Sequence, residues 1–473
     1  MAFFDVFRWN FWHQVAEREE DFRKLLEQGD IQTIVDDMEN RDLLIDDAMH
    51  EYNTFKHPIN FRPDKIITDK KGNFVRKDEV WKLPISYPIY INEIALVFLY
   101  GQPVKWVQDS TETEEAYNAF IQVIKKTRFN SKIRECKRLA GAETQSAMLF
   151  HVFKNKEGKA DVQIRVLAKS KGDDIRVKWD CYENIISIAW GYYVKENEHT
   201  VHHYDIFTNE TVYRCKQGTS GWQVEEEENL IGKIPIILFQ QEKEWAGVEP
   251  LLHRLENIIS RTADTNDYFA DPIAILDAEI IKNLPESKDT GKLLVTSGGS
   301  GVDSAARYLT WDSAPQSKKD EIEYLEEKIH MMTFTPKISL DTLKSVSQLS
   351  GKALKTVMLL ADMKASRRKE THEELLDRTA SLITAIIANV LNVSLYKQCQ
   401  KLSISHEFQE PFGEDISTTI SQISQLYNDG LLSLESAIER NPFVKNPIKE
   451  KERLQAQEEQ NKAKSVDLFS GMQ

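Results

Sequence analysis

The sequence predicts an α+β protein, and three observations carry that prediction. Residues Ser350 to Gln400 contain no proline and only Gly351 as a glycine, with apolar residues recurring at helical spacing. Residues 144 to 245 hold short β-branched and aromatic runs separated by turn residues, the spacing of an antiparallel β-meander. Two amphipathic segments, Pro250 to Ala270 and Ser317 to Met332, bracket a small insert rich in strand signals.

At 473 residues the chain is long enough for several cores, so three or four structural regions are expected. Its net charge is -14, from 75 acidic and 61 basic residues. That balance argues against a sequence-reading DNA binder, whose affinity comes from neutralising phosphates with Lys and Arg. It is compatible with a protein that lets DNA pass without gripping it, and equally with plain solubility. The four cysteines, Cys136, Cys181, Cys215 and Cys399, form no CxxC pair and read as reduced core thiols of a cytosolic protein. The aromatic start, Met-Ala-Phe-Phe-Asp-Val-Phe-Arg-Trp-Asn-Phe-Trp, lacks the signal-peptide pattern, and no run is long enough to span a bilayer. A soluble protein is expected.

Taken in order, residues 1 to about 57 read as helices, from Phe22, Leu25 and Leu26 through Ile31, Ile34, Val35 and Met38 to Leu43, Leu44, Ile45 and Met49, punctuated by Gly29 and Asn40. The six aromatics among the first twelve residues suit either core or a surface that docks on a neighbouring subunit. From Asn60 to Val107 the signals are extended. Gly72-Asn73 marks a turn, Pro84 and Pro88 break helix, and Ile89 to Tyr100 is a buried run ended by Gly101-Gln-Pro103. Helix returns at Glu112 to Lys126 and Ser131 to Leu139, with Tyr117, Phe120, Ile121 and Ile124 on one face.

The meander is expected as strands at 147–153, 162–168, 175–179, 185–194, 200–207 and 211–215, with Glu225 to Glu228 an acidic turn. Ile234 to Phe239 follows as a strand that Pro235 puts at an edge or at its start. Pro250 suits the first turn of a helix that stops before Asp271-Pro272. Residues 273–281, 292–296 and 306–310 form the insert, and Ser317-Lys-Lys-Asp320 is a capping start for the second helix. Ser350 to Gln400 is then either one helix of roughly 70 Å or two ordinary helices meeting near residue 366, within the charged span Asp362 to Glu374. Leu402 to Phe408 alternates as a strand, residues 415 to 460 read as three short helices, and the polar tail is expected to fray, apart from a possible linear motif at Val466 to Phe469.

The search for chemistry is negative. Ser350-Gly-Lys-Ala lacks the upstream glycine and following hydroxyl of a phosphate loop, and Gly298-Gly-Ser-Gly301 reads as a hairpin turn. His199, His202 and His203 share one strand, where neighbouring side chains point to opposite faces, so they do not converge on a metal. His372-Glu373-Glu374 lacks HExxH order and reads as a solvated helix face. Asp264, Asp267, Asp271 and Asp277 bracket a helix end and read as caps. No Gly-x-Ser-x-Gly turn is present. No catalytic residue, metal ligand or cofactor is assigned.

The order of four weak motifs resembles the portal proteins of tailed bacteriophages. They are Asn92-Glu-Ile-Ala-Leu-Val-Phe-Leu-Tyr-Gly101-Gln-Pro103, then Gly232-Lys-Ile-Pro-Ile-Ile-Leu-Phe239 ahead of the helix Leu251 to Phe269, then Leu349-Ser-Gly-Lys-Ala-Leu-Lys355. Last comes Asn428-Asp-Gly-Leu-Leu-Ser433 with Glu450-Lys-Glu-Arg453 after it. The resemblance covers residues 30 to 460. It implies a wing at 1–249, stem helices at 250–270 and 317–335, and a clip at 271–316. It further implies a tunnel loop at 336–349, a long wing helix with a returning strand at 350–412, a crown at 413–460 and a flexible tail at 461–473.

The same resemblance implies a homo-oligomeric ring, commonly a dodecamer, at one capsid vertex of the virion, assembled in the host cytoplasm. Double-stranded DNA is packaged and ejected through such a ring without sequence specificity, and the ring itself hydrolyses nothing. Implied partners are the terminase large subunit, the head-tail connector and the major capsid protein, with no membrane and no cofactor. The tunnel loop contributes Lys337, Ile338, Leu340, Leu343, Lys344 and Val346, whose lysines either touch phosphates in passing or are merely solvated. The clip contributes Ile273, Ile275, Leu293, Val295 and Tyr308 to partner contacts. Two rivals of other classes stand beside this reading: a metal-dependent nucleic-acid enzyme built from scattered carboxylates, and a helical adaptor or scaffold with no channel.

Overall fold

Asp30 opens the first labelled helix, α1 (Ile31–Asp36), by accepting a hydrogen bond from the Thr33 amide. The computed structural model describes residues 22–26, 28–69, 71–109, 111–196, 199–219, 221–270, 273–277, 293–296, 307–309, 315–338, 358–409, 416–441, 443–444, 450–451 and 453–457. The aromatic start, the turns at 298–301 and 350–353, and the tail motif lie outside these residues. Two compact units result: Met1–Lys337 with Leu360–Gln409, and Ile338–Leu359 with Glu410–Gln473.

After α1 come α2 (Asp42–Tyr52), a hairpin of β1 (Lys65–Thr68) and β2 (Phe74–Asp78), and α3 (Tyr87–Tyr100). The sequence reads Ile89 to Tyr100 as part of an extended stretch; it is helix. Pro88 starts it from the first turn, where a missing N–H costs nothing. Ile91, Asn92, Ala95, Leu96, Phe98, Leu99 and Tyr100 are all buried, and a helix apolar nearly all round looks like a buried strand in sequence. Next are β3 (Lys105–Gln108), α4 (Glu114–Lys126) and α5 (Phe129–Glu143). Helices α3 and α5 approach closely because Gly141 carries no side chain; a Cβ there would lie 2.1 Å from Asn92 Oδ1.

Eight strands follow: β4 (Gln145–Lys154), β5 (Ala160–Leu167), β6 (Asp174–Trp179), β7 (Ile185–Glu196), β8 (His199–Phe207), β9 (Thr211–Gly218), β10 (Gly221–Glu228) and β11 (Ile236–Gln240). They make two sheets. The meander β10-β9-β8-β7-β6 is antiparallel throughout, and β11-β4-β5 is a second antiparallel sheet in which β11 is an edge strand, with Pro235 just before its first residue. Glu225 to Glu228 is the end of β10 and not a turn. It pairs with Thr211 to Arg214 at a sheet edge, where charge stays solvated and discourages further strand pairing.

Alternation along the strands builds layers. Met148, Phe150, Ile164 and Phe239 face the helical core of α3, α4 and α5, whereas Ala147, Leu149, Leu167 and Leu238 meet Val177, Ile188 and Trp190 of the larger sheet. Ile31, Ile34 and Val35 of α1 cover that sheet's other side against Ala189, Tyr204, Ile206 and Cys215. Cys136, Cys215 and Cys399 are buried thiols as expected; Cys181 is exposed.

The chain then forms α6 (Glu249–Ala270), strands β12 (Ile273–Asp277), β13 (Leu293–Thr296) and β14 (Arg307–Leu309), and α7 (Pro315–Met332). Helix α8 (Leu359–Ile386) runs unbroken for 28 residues, about 42 Å, through the charged span. There is no junction near residue 366. The break comes later: one π turn at Ile387–Leu391, then Asn392 leaving helical geometry before α9 (Tyr396–Lys401). Strand β15 (Ile404–Glu407) returns to pair antiparallel with β3. In the second unit, α10 (Ile416–Asn428) and α11 (Leu434–Arg440) are joined through Gly430, whose φ of 70° suits glycine, and Ser433 caps α11.

The charged span of α8 is anchored by a buried carboxylate. Glu244 Oε1 accepts from Lys137 Nζ of α5 at 2.6 Å, and Glu244 Oε2 lies 3.0 Å from Lys364 Nζ. Arg368 Nε lies 3.4 Å from Oε1. Burial alone would raise the Glu244 carboxyl, but the three cations outweigh it and hold the group well below the usual carboxylate range. One turn on, His372 is buried and shares a hydrogen bond of 2.9 Å with Tyr100 OH, which corrects the expectation of a solvated face for that residue; Glu373 and Glu374 are exposed. Glu244→Gln keeps the shape but leaves three cations facing a neutral amide. We expect a stability loss of about 3–5 kcal/mol, read as a lowered midpoint in chemical denaturation.

Candidate functional site

The sequence places its candidate residues in the insert between helices α6 and α7 and in the segment that leaves α7. Leu252, Leu255 and Ile258 of α6 share one core with Leu325 and Ile329 of α7, closed by Trp245, Val248, Ile91 and Ala48. A second face of α6 is polar and was misread in sequence. Glu256, Ser260, Asp264 and Asp267 recur at spacings of four, four and three, which puts them on one stripe.

The segment 57–85 straps along that stripe. His57 Nδ1 donates to Glu256 Oε1 at 2.6 Å, and the Ile85 amide donates to the same oxygen at 2.8 Å. The Leu83 amide donates to Ser260 Oγ at 3.1 Å. Arg62 Nη2 donates to Asp264 Oδ2 at 2.6 Å, the Trp81 amide donates to Asp264 Oδ1 at 2.8 Å, and the Trp81 indole N–H donates to Asp267. Asp264 and Asp267 are therefore strap anchors and not helix caps. Their partners lie far back in the chain, so only the spacing of the four polar residues signals the role.

The other end of the pair fixes how the chain leaves α7. Phe334 adopts a left-handed φ of 53°, the Thr335 amide donates to the His330 carbonyl at 2.9 Å, and Thr333 Oγ1 donates to the Ile329 carbonyl at 2.8 Å. His330 Nδ1 donates to the Thr335 carbonyl at 3.1 Å, while Tyr87 and Tyr90 of α3 set their rings edge-on to the imidazole. Burial lowers the His330 pKa. Tyr90 OH donates to the Pro336 carbonyl at 2.7 Å. The start of the candidate loop thus has a set position and direction.

Of the loop residues, Lys337 pairs with Glu326 Oε2 at 2.5 Å and Ile338 is partly buried; Leu340, Leu343, Lys344 and Val346 lie outside the described residues. The insert is a three-stranded sheet of order β13-β12-β14, with β12 parallel to β13 and antiparallel to β14. Ala274 pairs with both Leu293 and Tyr308, and Leu276 pairs with Val295. Since successive strand positions alternate, positions 293, 295 and 308 share one face and positions 273 and 275 the other. The five candidate positions of the insert belong to one sheet but not to one face of it.

Among the described residues no group of three His, Cys, Asp or Glu is arranged to hold a metal ion, and no helix is long and apolar enough to cross a membrane. His202 and His203 take opposite faces of β8, stacking on Tyr193 and Tyr192 respectively.

Comparison with known proteins adds a family. The model of the family described as phage portal protein, SPP1 Gp6-like, matches residues 47–464. The portal protein of Bacillus phage SPP1 is 24% identical over 231 residues, which is 47% of this chain and 44% of that protein's length. Among solved structures, the neck of a native gene transfer agent particle with C12 symmetry aligns at a TM-score of 0.37 and 10% identity, covering 76% of this chain and 90% of that one. A native gene transfer agent virion aligns at 0.35 and 8% identity, covering 83% and 91%.

The strap carries a pH signature. His57 Nε2 also lies 2.7 Å from the Glu51 carbonyl, so both ring nitrogens face acceptors and the imidazolium fits best. Burial alone would lower the His57 pKa, but the Glu256 carboxylate outweighs it and raises the pKa above its ordinary value. The stability gained is full below the unfolded-state value of about 6.5 and is lost as pH rises through the higher folded-state value. We expect the thermal midpoint to fall across that window, and His57→Gln to remove this component while costing about 1–3 kcal/mol at pH 6. A midpoint equally pH-dependent in His57→Gln contradicts the assignment.

Proposed function

The chain belongs to the SPP1 Gp6-like phage portal protein family, and on that premise we propose that its copies close into a ring at one capsid vertex through which double-stranded DNA is packaged and ejected. The observation that carries this reading is the family match across residues 47–464. In the proposed division, residues 1–249 are the wing, 250–270 and 317–335 the stem, and 271–316 the clip. Residues 336–349 are the tunnel loop, 350–412 the wing helix and its returning strand, and 413–460 the crown. The strapped pair α6 and α7 suits a stem, because anchors at Glu256, Ser260, Asp264 and Asp267 leave α6 little freedom to swing.

Passage rests on weak adhesion. A protein that neutralises many phosphates binds DNA tightly and retards it, whereas a net charge of -14 disfavours such contacts. The work of translocation is assigned to a separate terminase ATPase. The loop after Lys337 acts as a collar, with Ile338, Leu340, Leu343 and Val346 packing loops of neighbouring copies around the bore and Lys337 and Lys344 near the phosphates. The clip, through the sheet of β12, β13 and β14, receives terminase during packaging and the connector afterwards.

Negative-stain images of purified protein are expected to show closed rings with a central hole; a monomer or dimer at every concentration contradicts the reading. Deleting residues 338–346 is expected to leave ring assembly intact and to abolish packaging or retention of DNA. Stable, full heads from that deletion remove the loop from the mechanism. Replacing Ile273, Ile275, Leu293, Val295 and Tyr308 is expected to abolish terminase and connector binding, and unchanged binding removes the clip's role.

A further inference from the structure

Beside the core face and the strapped face, α6 has a third face that opens into a cleft of about 720 Å³. Its walls carry five basic side chains: Arg62, Lys65, Arg254, Arg261 and Lys318. Only two carboxylates line it. Asp264 is taken by Arg62, and Glu321 by Arg254 at 2.7 Å. Arg261 and Lys65 are exposed and have no ion-pair partner among the described residues. In a chain of net charge -14 this is a local excess of positive charge on a concave surface.

Such a cleft is a ready grip for phosphates, which conflicts with a ring that lets DNA slide. A carboxylate-bearing surface would neutralise it. The same helix pair offers the complement. On α7, Asp320, Glu323 and Glu327 follow one another at spacings of three and four, are exposed, and sit opposite the face that holds Leu325 and Ile329. Glu323 has only Lys319, 3.8 Å away, and Glu327 has no ion-pair partner among the described residues.

The heights match as well. Arg254 reaches Glu321, and Lys318 donates to Thr265 Oγ1 at 3.3 Å, so the helices run antiparallel; Asp320 and Glu323 lie level with the cleft, and Glu327 stands about 9 Å along α7 from Glu321. A cyclic ring relates its copies by rotation without translation along the axis, and its contacts join two different patches of the same chain. A stripe and a cleft at equal height on one helix pair meet that requirement.

We propose that the cleft of one copy receives the Asp320, Glu323 and Glu327 stripe of the next copy's α7, with Arg261 and Lys65 as the principal cations. This rests on the ring reading and names its contact. The pairing neutralises both patches at once: it closes the ring and keeps this cationic cleft from gripping the genome. Because the contact is electrostatic, assembly weakens with salt.

The test is charge reversal and its compensation in the full chain, with assembly read by sedimentation and folding by thermal denaturation. Arg261→Glu is expected to leave the fold intact and to reduce the ring fraction at least about tenfold at physiological salt. Combining it with Glu323→Lys or Glu327→Lys is expected to restore rings. Rings of wild-type abundance from Arg261→Glu overturn the proposal, as does a loss that neither reversal rescues. Intact Arg261→Glu rings that lose affinity for duplex DNA also overturn it, and make the cleft a nucleic-acid site. Wild-type protein that never closes a ring instead overturns the ring reading itself, together with this contact.

Discussion

The structure depends on one buried carboxylate. Glu244 lies in the turn between β11 and α6, and its side chain is where α5, the approach to α6 and the charged start of α8 meet. Three cations around one carboxylate would be an unstable arrangement in isolation, because burying charge costs several kcal/mol per ion unless every partner is satisfied. Further hydrogen bonds supply that satisfaction: Lys364 Nζ donates to the Glu244 carbonyl at 2.9 Å and Gln241 Nε2 to Glu244 Oε1 at 2.8 Å. Sliding α8 by one turn would unpair Lys364 and Arg368 from Glu244. An ion cluster fixes its register.

That fixed register matters for the loop between α7 and α8. At one end Tyr90, Tyr87 and His330 hold Pro336; at the other, Lys364 and Arg368 hold the second turn of α8. Asn389 Nδ2 donates to the Ile231 carbonyl at 2.8 Å, which ties the π turn to the connection between β10 and β11.

What was legible in the sequence follows the range of the forces involved. The amphipathic pair at 250–270 and 315–332, the strand run from 145 to 218 and the α8 core residues Leu376, Leu382, Ile383 and Ile386 all declare themselves through local periodicity. Ile89 to Tyr100 misleads because a helix buried on nearly all sides shows no period. Glu225 to Glu228 misleads because charge resembles a turn, yet an edge strand tolerates it. The strap and the Glu244 cluster join residues more than a hundred positions apart, such as His57 with Glu256 and Lys364 with Glu244. No local pattern encodes such pairs. The cleft was invisible for the same reason, since Arg62, Arg261 and Lys318 become neighbours only through the fold.

The central claim is that an assembled ring guides DNA without holding it, and the salt dependence of duplex binding measures that most directly. For a purified ring threaded on duplex DNA, the account predicts a logarithm of affinity that changes little with the logarithm of salt concentration, because few phosphates are neutralised. A steep negative slope, equivalent to about six or more phosphate contacts, would mean that the inner wall grips the polyanion and would contradict the account.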